Sequence, residues 1–357
     1  MTNQEKAAPK AEKTTVEKGK KNNLPLILVS VLSILVIGYL LYDKLGTTTD
    51  EVTPPITQET IIDTTTQKAE TITELKADNT AETTTATSLK KAVETAKLKQ
   101  ELAALKAAEK QKEEAAAKKA KAGNAVLTKL YSNMVLVPGG TFTMGCTSEQ
   151  GDNCDDDENP SHTVNLSSYY IGKYEVTQAQ WRAVMGTSPS NNSNCDDCPV
   201  EQVSYTDVNN FIRKLNAKTG KSYRLPTEAE WEFAARGGNK SKGYKYSGSN
   251  TLSSVAWYND NSGGETHIVG TKQKNELRLY DMSGNVWEWC SDWYGKTYYS
   301  SSSYSNPTGA GSSSSHRVDR GGSWRYYARG CRVAARGSHS PSYSYYYLGF
   351  RLALRSK

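Results

Sequence analysis

Every cysteine and tryptophan of the chain, and all but two of its tyrosines, lie beyond residue 130. The first 130 residues hold no aromatic side chain outside one short apolar run, so they cannot build a packed core of their own. A single globular domain is therefore expected over 131–357, a comfortable length for one core. Charge adds little: 44 basic and 38 acidic residues leave a diffuse formal charge of +6. No basic stripe argues for a nucleic-acid partner, and none is expected.

The apolar run, LPLILVSVLSILVIGYLLY from Leu24 to Tyr42, carries no charge and is long enough to cross a hydrocarbon layer of roughly 30 Å as a helix. A signal peptide is the alternative, but the run ends in Tyr42-Asp43-Lys44 with no small-residue cleavage site. Lys18, Lys20 and Lys21 precede it, which predicts a cytoplasmic tail over 1–23, a single-pass anchor over 24–42 and everything later outside the membrane. Residues 43–87 are threonine-rich with scattered acids and read as a disordered stalk. Residues 88–122 turn to Ala, Lys, Glu and Leu and read as a helix, with Ser88 as N-cap and Gly123 as stop. Leu98, Leu102 and Leu105 make a short heptad-like seam, compatible with a lone spacer or with a homo-oligomer formed through 88–122.

Beyond residue 131 the pattern is α+β with much irregular structure. Val208, Phe211, Ile212 and Leu215 fall on one helical face behind Ser204 or Thr206, and Thr227 with Glu230 forms a capping box. Short extended pieces and loops rich in Gly, Ser and Asn follow.

The ordered succession PGGTFTMG, YEVTQAQW, PVEQVSY, RLPTEAEWEFAARGG, LYDMSGNVWEWCSDW, RGGSW, CRVAAR and LGFRLAL resembles the formylglycine-generating enzyme, or sulfatase-modifying factor, family. The resemblance covers essentially all of 131–357 and implies a variant of the C-type lectin fold. Enzymes of that family oxidise a sulfatase cysteine with a copper-binding cysteine pair that follows RGGS, a chemistry that needs two soft thiolates. Here Tyr326 takes the first cysteine's position and only Cys331 follows, so no catalytic residue and no copper are expected. An iron site as in sulfoxide synthases is not expected either. The four histidines, His162, His267, His316 and His339, lack metal-ligand spacing.

Spacing pairs Cys195 with Cys198 and Cys146 with Cys154, leaving Cys290 for Cys331, and three structural disulfides suit an extracytoplasmic domain. The run Asp155-Asp156-Asp157-Glu158 reads as a solvated loop more readily than as a calcium site. The family resemblance offers another candidate for Ca²⁺ in Asn285 and Glu288 with Asn259 or Asn261; the competing reading has Asn285 capping a turn and Glu288 pairing with an arginine.

Between the fixed motifs of the C-terminal stretch lies a second set of positions: Arg325, Tyr326, Tyr327, Gly330, Gly337, Ser338, His339, Ser340, Ser342, Tyr343, Ser344, Tyr345, Tyr346 and Tyr347. All five residue types can be written by NNC codons, and the set contains no Lys, Glu, Gln, Met or Trp. This resembles the variable proteins of diversity-generating retroelements, in which template adenines are randomised to diversify a lectin-fold binding site. Tyr, Ser and Gly are also the residues of antibody paratopes, giving large contact area with adaptable hydrogen bonding. The expectation is a bacterial, membrane-anchored, non-catalytic protein whose C-terminal strip binds a protein or glycan ligand. The competing expectations are a formylglycine-generating oxidase and a structural envelope component.

Overall fold

The structure is a computed structural model that describes residues 85–152, 154–311 and 314–356, with backbone only for 85–89. The anchor at 24–42, the tail at 1–23 and nearly all of the stalk at 43–87 lie outside the described residues. Among the described residues no helix is long and apolar enough to cross a membrane. The chain divides into two compact units, Met1–Ala108 and Glu109–Lys357. In the first, the described residues belong to α1 (Thr85–Ser132), where Val93, Leu102 and Leu105 are exposed.

The expected stop at Gly123 does not occur, since α1 continues to Ser132 in the second unit. A glycine inside a helix costs about 0.5–1 kcal/mol against alanine. Leu127 and Leu130, one and two turns later, are buried in the main apolar cluster and contribute more, about 1.5–3 kcal/mol each. Tertiary packing thus overrides the local signal.

Three sheets follow. β1 (Met134–Val137), β4 (Tyr169–Gly172) and β9 (Ala353–Arg355) form an antiparallel sheet in the order β1-β4-β9, which ties the end of the domain to its beginning. β2 (Gly140–Met144) pairs with β3 (His162–Leu166), and Val164 and Leu166 alternate inward as strand periodicity requires. β5 (Trp287–Trp293), β6 (Arg317–Arg320), β7 (Arg336–His339) and β8 (Leu348–Gly349) form the third sheet, ordered β7-β6-β5-β8 with β5 and β8 parallel.

The helices begin where side chains satisfy the first free N–H groups. α2 (Gln178–Met185) starts at Thr177 with Gln180 closing a capping box and stops at Gly186 in the left-handed region. α3 (Tyr205–Thr219) is capped by Ser204 with Asp207 and buries Val208, Phe211, Ile212 and Leu215. α4 (Glu228–Ala235) starts at Thr227 with Glu230 and is buried on every face, glutamates included.

Buried carboxylates are costly unless paired, and each in α4 has an arginine partner. Glu228 accepts from Arg336, Glu230 from Arg224, and Glu232 from Arg236 and Arg320. The helix EAEWEFAA therefore supplies the counter-ions for Arg320 and Arg336 of the C-terminal stretch. In the main core Trp181 stacks on Phe211 and Phe350 stands edge-on to both, while Trp231 and Phe233 of α4 belong to a second cluster.

Candidate binding face

The C-terminal stretch separates into two sets of side chains. Arg320, Arg332 and Arg351 are fully buried, and the Arg336 side chain is also inaccessible. Each faces a carboxylate: Arg332 Nη1 lies 2.7 Å from Glu158 Oε2, Arg351 Nε 2.6 Å from Glu288 Oε2, and Arg336 Nε 2.7 Å from Glu228 Oε1. By contrast, all the intervening strip positions but Tyr347 keep surface exposure, led by Tyr327 at 69%. β7 pairs with β6 in the register Val318↔Ser338 and Asp319↔Gly337, which sets Gly337 opposite Asp319.

The strip folds into one aromatic face. His339 stacks on Tyr343 at 4.4 Å with 11° between the rings, and Tyr343 stacks on Tyr345 at 5.6 Å with 7°. Tyr346 leans on Tyr345, and the Arg325 guanidinium lies 5.3 Å over the Tyr346 ring. Tyr326 stands edge-on to both Tyr347 and Trp287. Arg325, Tyr326, Tyr327, Tyr343, Tyr345 and Tyr347 surround an open hollow of about 340 Å³. Ser338, Ser340, Ser342 and Ser344 lie along the same segment, partly or fully exposed, with Ser340 and Ser342 hydrogen-bonded to each other. Tyr347 is the inward member: it is 8% exposed, packs in the core and shares a hydroxyl hydrogen bond with Tyr343.

Beneath this face His339 Nδ1 is 2.7 Å from Asp319 Oδ2, and Asp319 is fully buried. Burial raises the Asp319 carboxyl above its usual range, against the opposing pull of His339. For His339 burial works downward, but the hydrogen bond and charge of Asp319 outweigh it and the imidazole titrates above its ordinary value. Gly337 sits directly on this pair: a Cβ there would fall 2.1 Å from Asp319 Oδ1 and 3.2 Å from the Trp287 ring. Gly337 is thus a floor position without room for a side chain, whereas a Cβ at Gly330 would meet the Tyr326 ring at 3.3 Å and Trp287 at 3.7 Å. Asp319 and Trp287 were not among the residues singled out from sequence. No local pattern marks Asp319, because Val318, Asp319 and Arg320 are all buried in β6.

The side chains suggested for calcium are engaged within the protein. Asn285 Oδ1 accepts from the His267 amide, and its Nδ2 donates to Glu175. Both Glu288 oxygens are taken by Arg351, and Oε2 also by Trp231 Nε1. Asn261 Oδ1 accepts from the Tyr258 amide, while Asn259 donates weakly to the Arg325 carbonyl. A cage for Ca²⁺ needs free oxygens from several directions, and these residues do not fit one as they stand. The acidic run is also not simply solvated. Asp155 pairs with Arg329, Asp157 accepts from Tyr294, and Glu158 is buried against Arg332.

Cys146–Cys154 and Cys195–Cys198 are disulfides. The pairing of Cys290 with Cys331 does not form. Both are buried free thiols in different apolar clusters, Cys290 of β5 with Val318 and Cys331 with Tyr246 and Leu252. Cys146, Cys154 and Glu158 have their ligand atoms close together, but the disulfide removes the two thiolates. Burial pushes the Cys331 thiol up to about 12. A lone protonated thiol, with Tyr326 at the sequence position of the family's first cysteine, does not fit a Cu(I) pair, which takes two thiolates.

Residues 119–356 match the family described as the sulfatase-modifying factor enzyme 1-like domain. The chaperone protein LppX of Paenibacillus barcinonensis is 36% identical over 217 residues, 47% of this chain and 74% of that protein. The formylglycine-generating enzyme of Streptomyces coelicolor is 31% identical over 300 residues, covering 66% of this chain and 93% of that enzyme. Among solved structures, variable protein 1 of Treponema denticola is 35% identical, with a TM-score of 0.57 over 62% of this chain and 95% of that one. The chain belongs to the sulfatase-modifying factor enzyme 1-like family, shares its mixed helix and strand fold with the formylglycine-generating enzymes, and resembles the variable proteins of diversity-generating retroelements.

Proposed function

We propose that this protein is a membrane-anchored display protein that binds a ligand through the face built by Arg325 to Tyr347 and performs no chemistry on it. The observation that carries the reading is the partition of one stretch of chain: family arginines are buried in ion pairs, while the intervening positions except Tyr347 keep surface exposure and Arg325 with five of the tyrosines surrounds a hollow. Such a division lets the exposed set change while the scaffold stays fixed. Tyrosine-rich contact surfaces with few rotamers to freeze are well suited to that role. The same gene sequenced across sibling strains should show substitutions concentrated at the strip, with Gly337 spared. A near-identical repeat of its 3′ codons should lie beside a reverse transcriptase gene. Substitutions spread evenly over the domain would sink the reading.

Leu24–Tyr42 would supply the anchor, with the domain outside the membrane and α1 as spacer or self-associating stalk. Alkaline carbonate extraction and protease accessibility of intact cells test this, and release of the full chain into the soluble fraction would overturn it.

A second reading, a formylglycine-generating oxidase, is favoured by the relationship to the Streptomyces coelicolor enzyme. Full-length protein incubated with copper and a CxPxR-type peptide distinguishes the two. No aldehyde is expected; turnover abolished by Cys331→Ser would replace the display reading with the enzymatic one.

A further inference from the structure

We propose that the hollow of the C-terminal face takes an acidic side chain of a protein ligand, held by Arg325 against walls of tyrosine. The proposal rests on the display reading and names the chemistry of that site.

Arg325 differs from the arginines around it. Arg320, Arg329, Arg332, Arg336 and Arg351 each have a carboxylate partner within the domain. Among the described residues Arg325 has none: it is exposed, its guanidinium rests on the Tyr346 ring, and it lines the hollow. The cation–π contact leaves the guanidinium N–H groups without a carboxylate among the described residues, and they present a fork for one.

The remaining lining is phenolic. Tyr326, Tyr327, Tyr343, Tyr345 and Tyr347 offer ring faces for the apolar part of a ligand, and Tyr327 is largely open to solvent. Charge separates the candidate ligands. The one carboxylate below the face, Asp319, is sealed under Gly337 and already bonded to His339, so it cannot neutralise an incoming ammonium or guanidinium. A basic side chain entering the hollow would meet Arg325 uncompensated. An acidic one would give Arg325 the carboxylate partner that it lacks among the described residues. The volume, about 340 Å³, is at the lower end of small-molecule clefts and matches a side chain or two better than a folded surface.

The test uses full-length protein in lipid nanodiscs, panned against a phage library of random dodecapeptides. Binders should be enriched in Asp or Glu beside an aromatic or aliphatic residue. In synthetic pairs, replacing that acid by its amide should weaken binding about tenfold or more. Arg325→Gln should erase the difference between the two members of each pair, with circular dichroism unchanged because Arg325 makes no core ion pair. Tyr345→Ser should weaken both members. Peptides lost on Tyr345→Ser but indifferent to the acid and to Arg325→Gln overturn the acidic class and leave the face as a binding site. Binding that depends on Tyr345 but is confined to neutral glycans on a glycan array overturns the acidic class in the same way. If nothing that binds responds to any strip substitution, both the class and the display reading fall.

Discussion

Arg332 and Glu158 stand 174 residues apart in the chain and meet in a buried two-point ion pair, Nη1 to Oε2 at 2.7 Å, with neither side chain accessible to water. The pair fastens the loop closed by Cys146–Cys154 to the base of the C-terminal strip, and the exposed pair Arg329–Asp155 lies beside it. Removing one partner strands a buried charge. Glu158→Ala should therefore cost about 3–5 kcal/mol, whereas Arg329→Ser should cost no more than about 1 kcal/mol. Urea unfolding of both variants checks the contrast, and equal costs would mean the buried pair is not a brace.

The tyrosines of the strip should divide by burial and not by position in sequence. Tyr327, 69% exposed, should tolerate replacement by serine within about 0.5 kcal/mol. Tyr347, packed among core residues, should cost on the order of 3 kcal/mol on truncation to alanine. Thermal or urea unfolding of the two single variants decides between burial and position.

Gly337→Ala introduces a Cβ where Asp319 Oδ1 and the Trp287 ring already lie. Overpacking of this kind should cost about 1–3 kcal/mol. It should also loosen the Asp319–His339 bond and return the imidazole toward its ordinary titration. The His339 ring resonances followed by NMR across pH, in parent and variant, read this directly; an unmoved titration would show that the floor relaxes freely.

Asp292 is fully enclosed, and burial, reinforced by Glu228, raises its carboxyl to about 7. In the unfolded chain the same group ionises near its ordinary value of about 3.9. Between those values the folded state holds a proton that the unfolded state has released, so stability falls as pH rises through the interval. Glu201, also raised to about 7, acts in the same direction. Asp292→Asn removes the ionisable group, so the variant should gain on the parent by on the order of 3 kcal/mol at pH 8 and nothing at pH 4. Unfolding curves at the two pH values test the sign.

Cys290 and Cys331 are both enclosed and unpaired. Without reductant, a thiol reagent should find no reactive group in the native protein and two per chain in denaturant. Titration of fewer than two would restore the third disulfide expected from spacing.

Much of the domain was legible because its signals are local. The capping box at Thr227, the cap at Ser204 and the apolar face of α3 need only near neighbours in sequence. The ordered motifs from PGGTFTMG to LGFRLAL carried the family. Where local and distant terms compete, sequence reading failed. Gly123 looked like a helix stop because Leu127 and Leu130 show their worth only against the core they enter. The acidic run looked solvated because Arg329 and Arg332 arrive more than 170 residues later.

The cysteines and the strip mark the same boundary. Short separations of three and eight residues gave Cys195–Cys198 and Cys146–Cys154, since the loop between them leaves little freedom. No spacing rule reports that Cys290 and Cys331 point into different clusters. By itself the sequence determined which strip residues have a shared chemistry and which motif arginines frame them. Only the tertiary structure decided that Tyr347 turns inward, that Gly337 is floor over Asp319 and Trp287, and that Arg325 alone among its neighbouring arginines is left facing a hollow without a carboxylate. Those outcomes depend on which buried charges find partners across the fold, a sum over distant residues that no local pattern encodes.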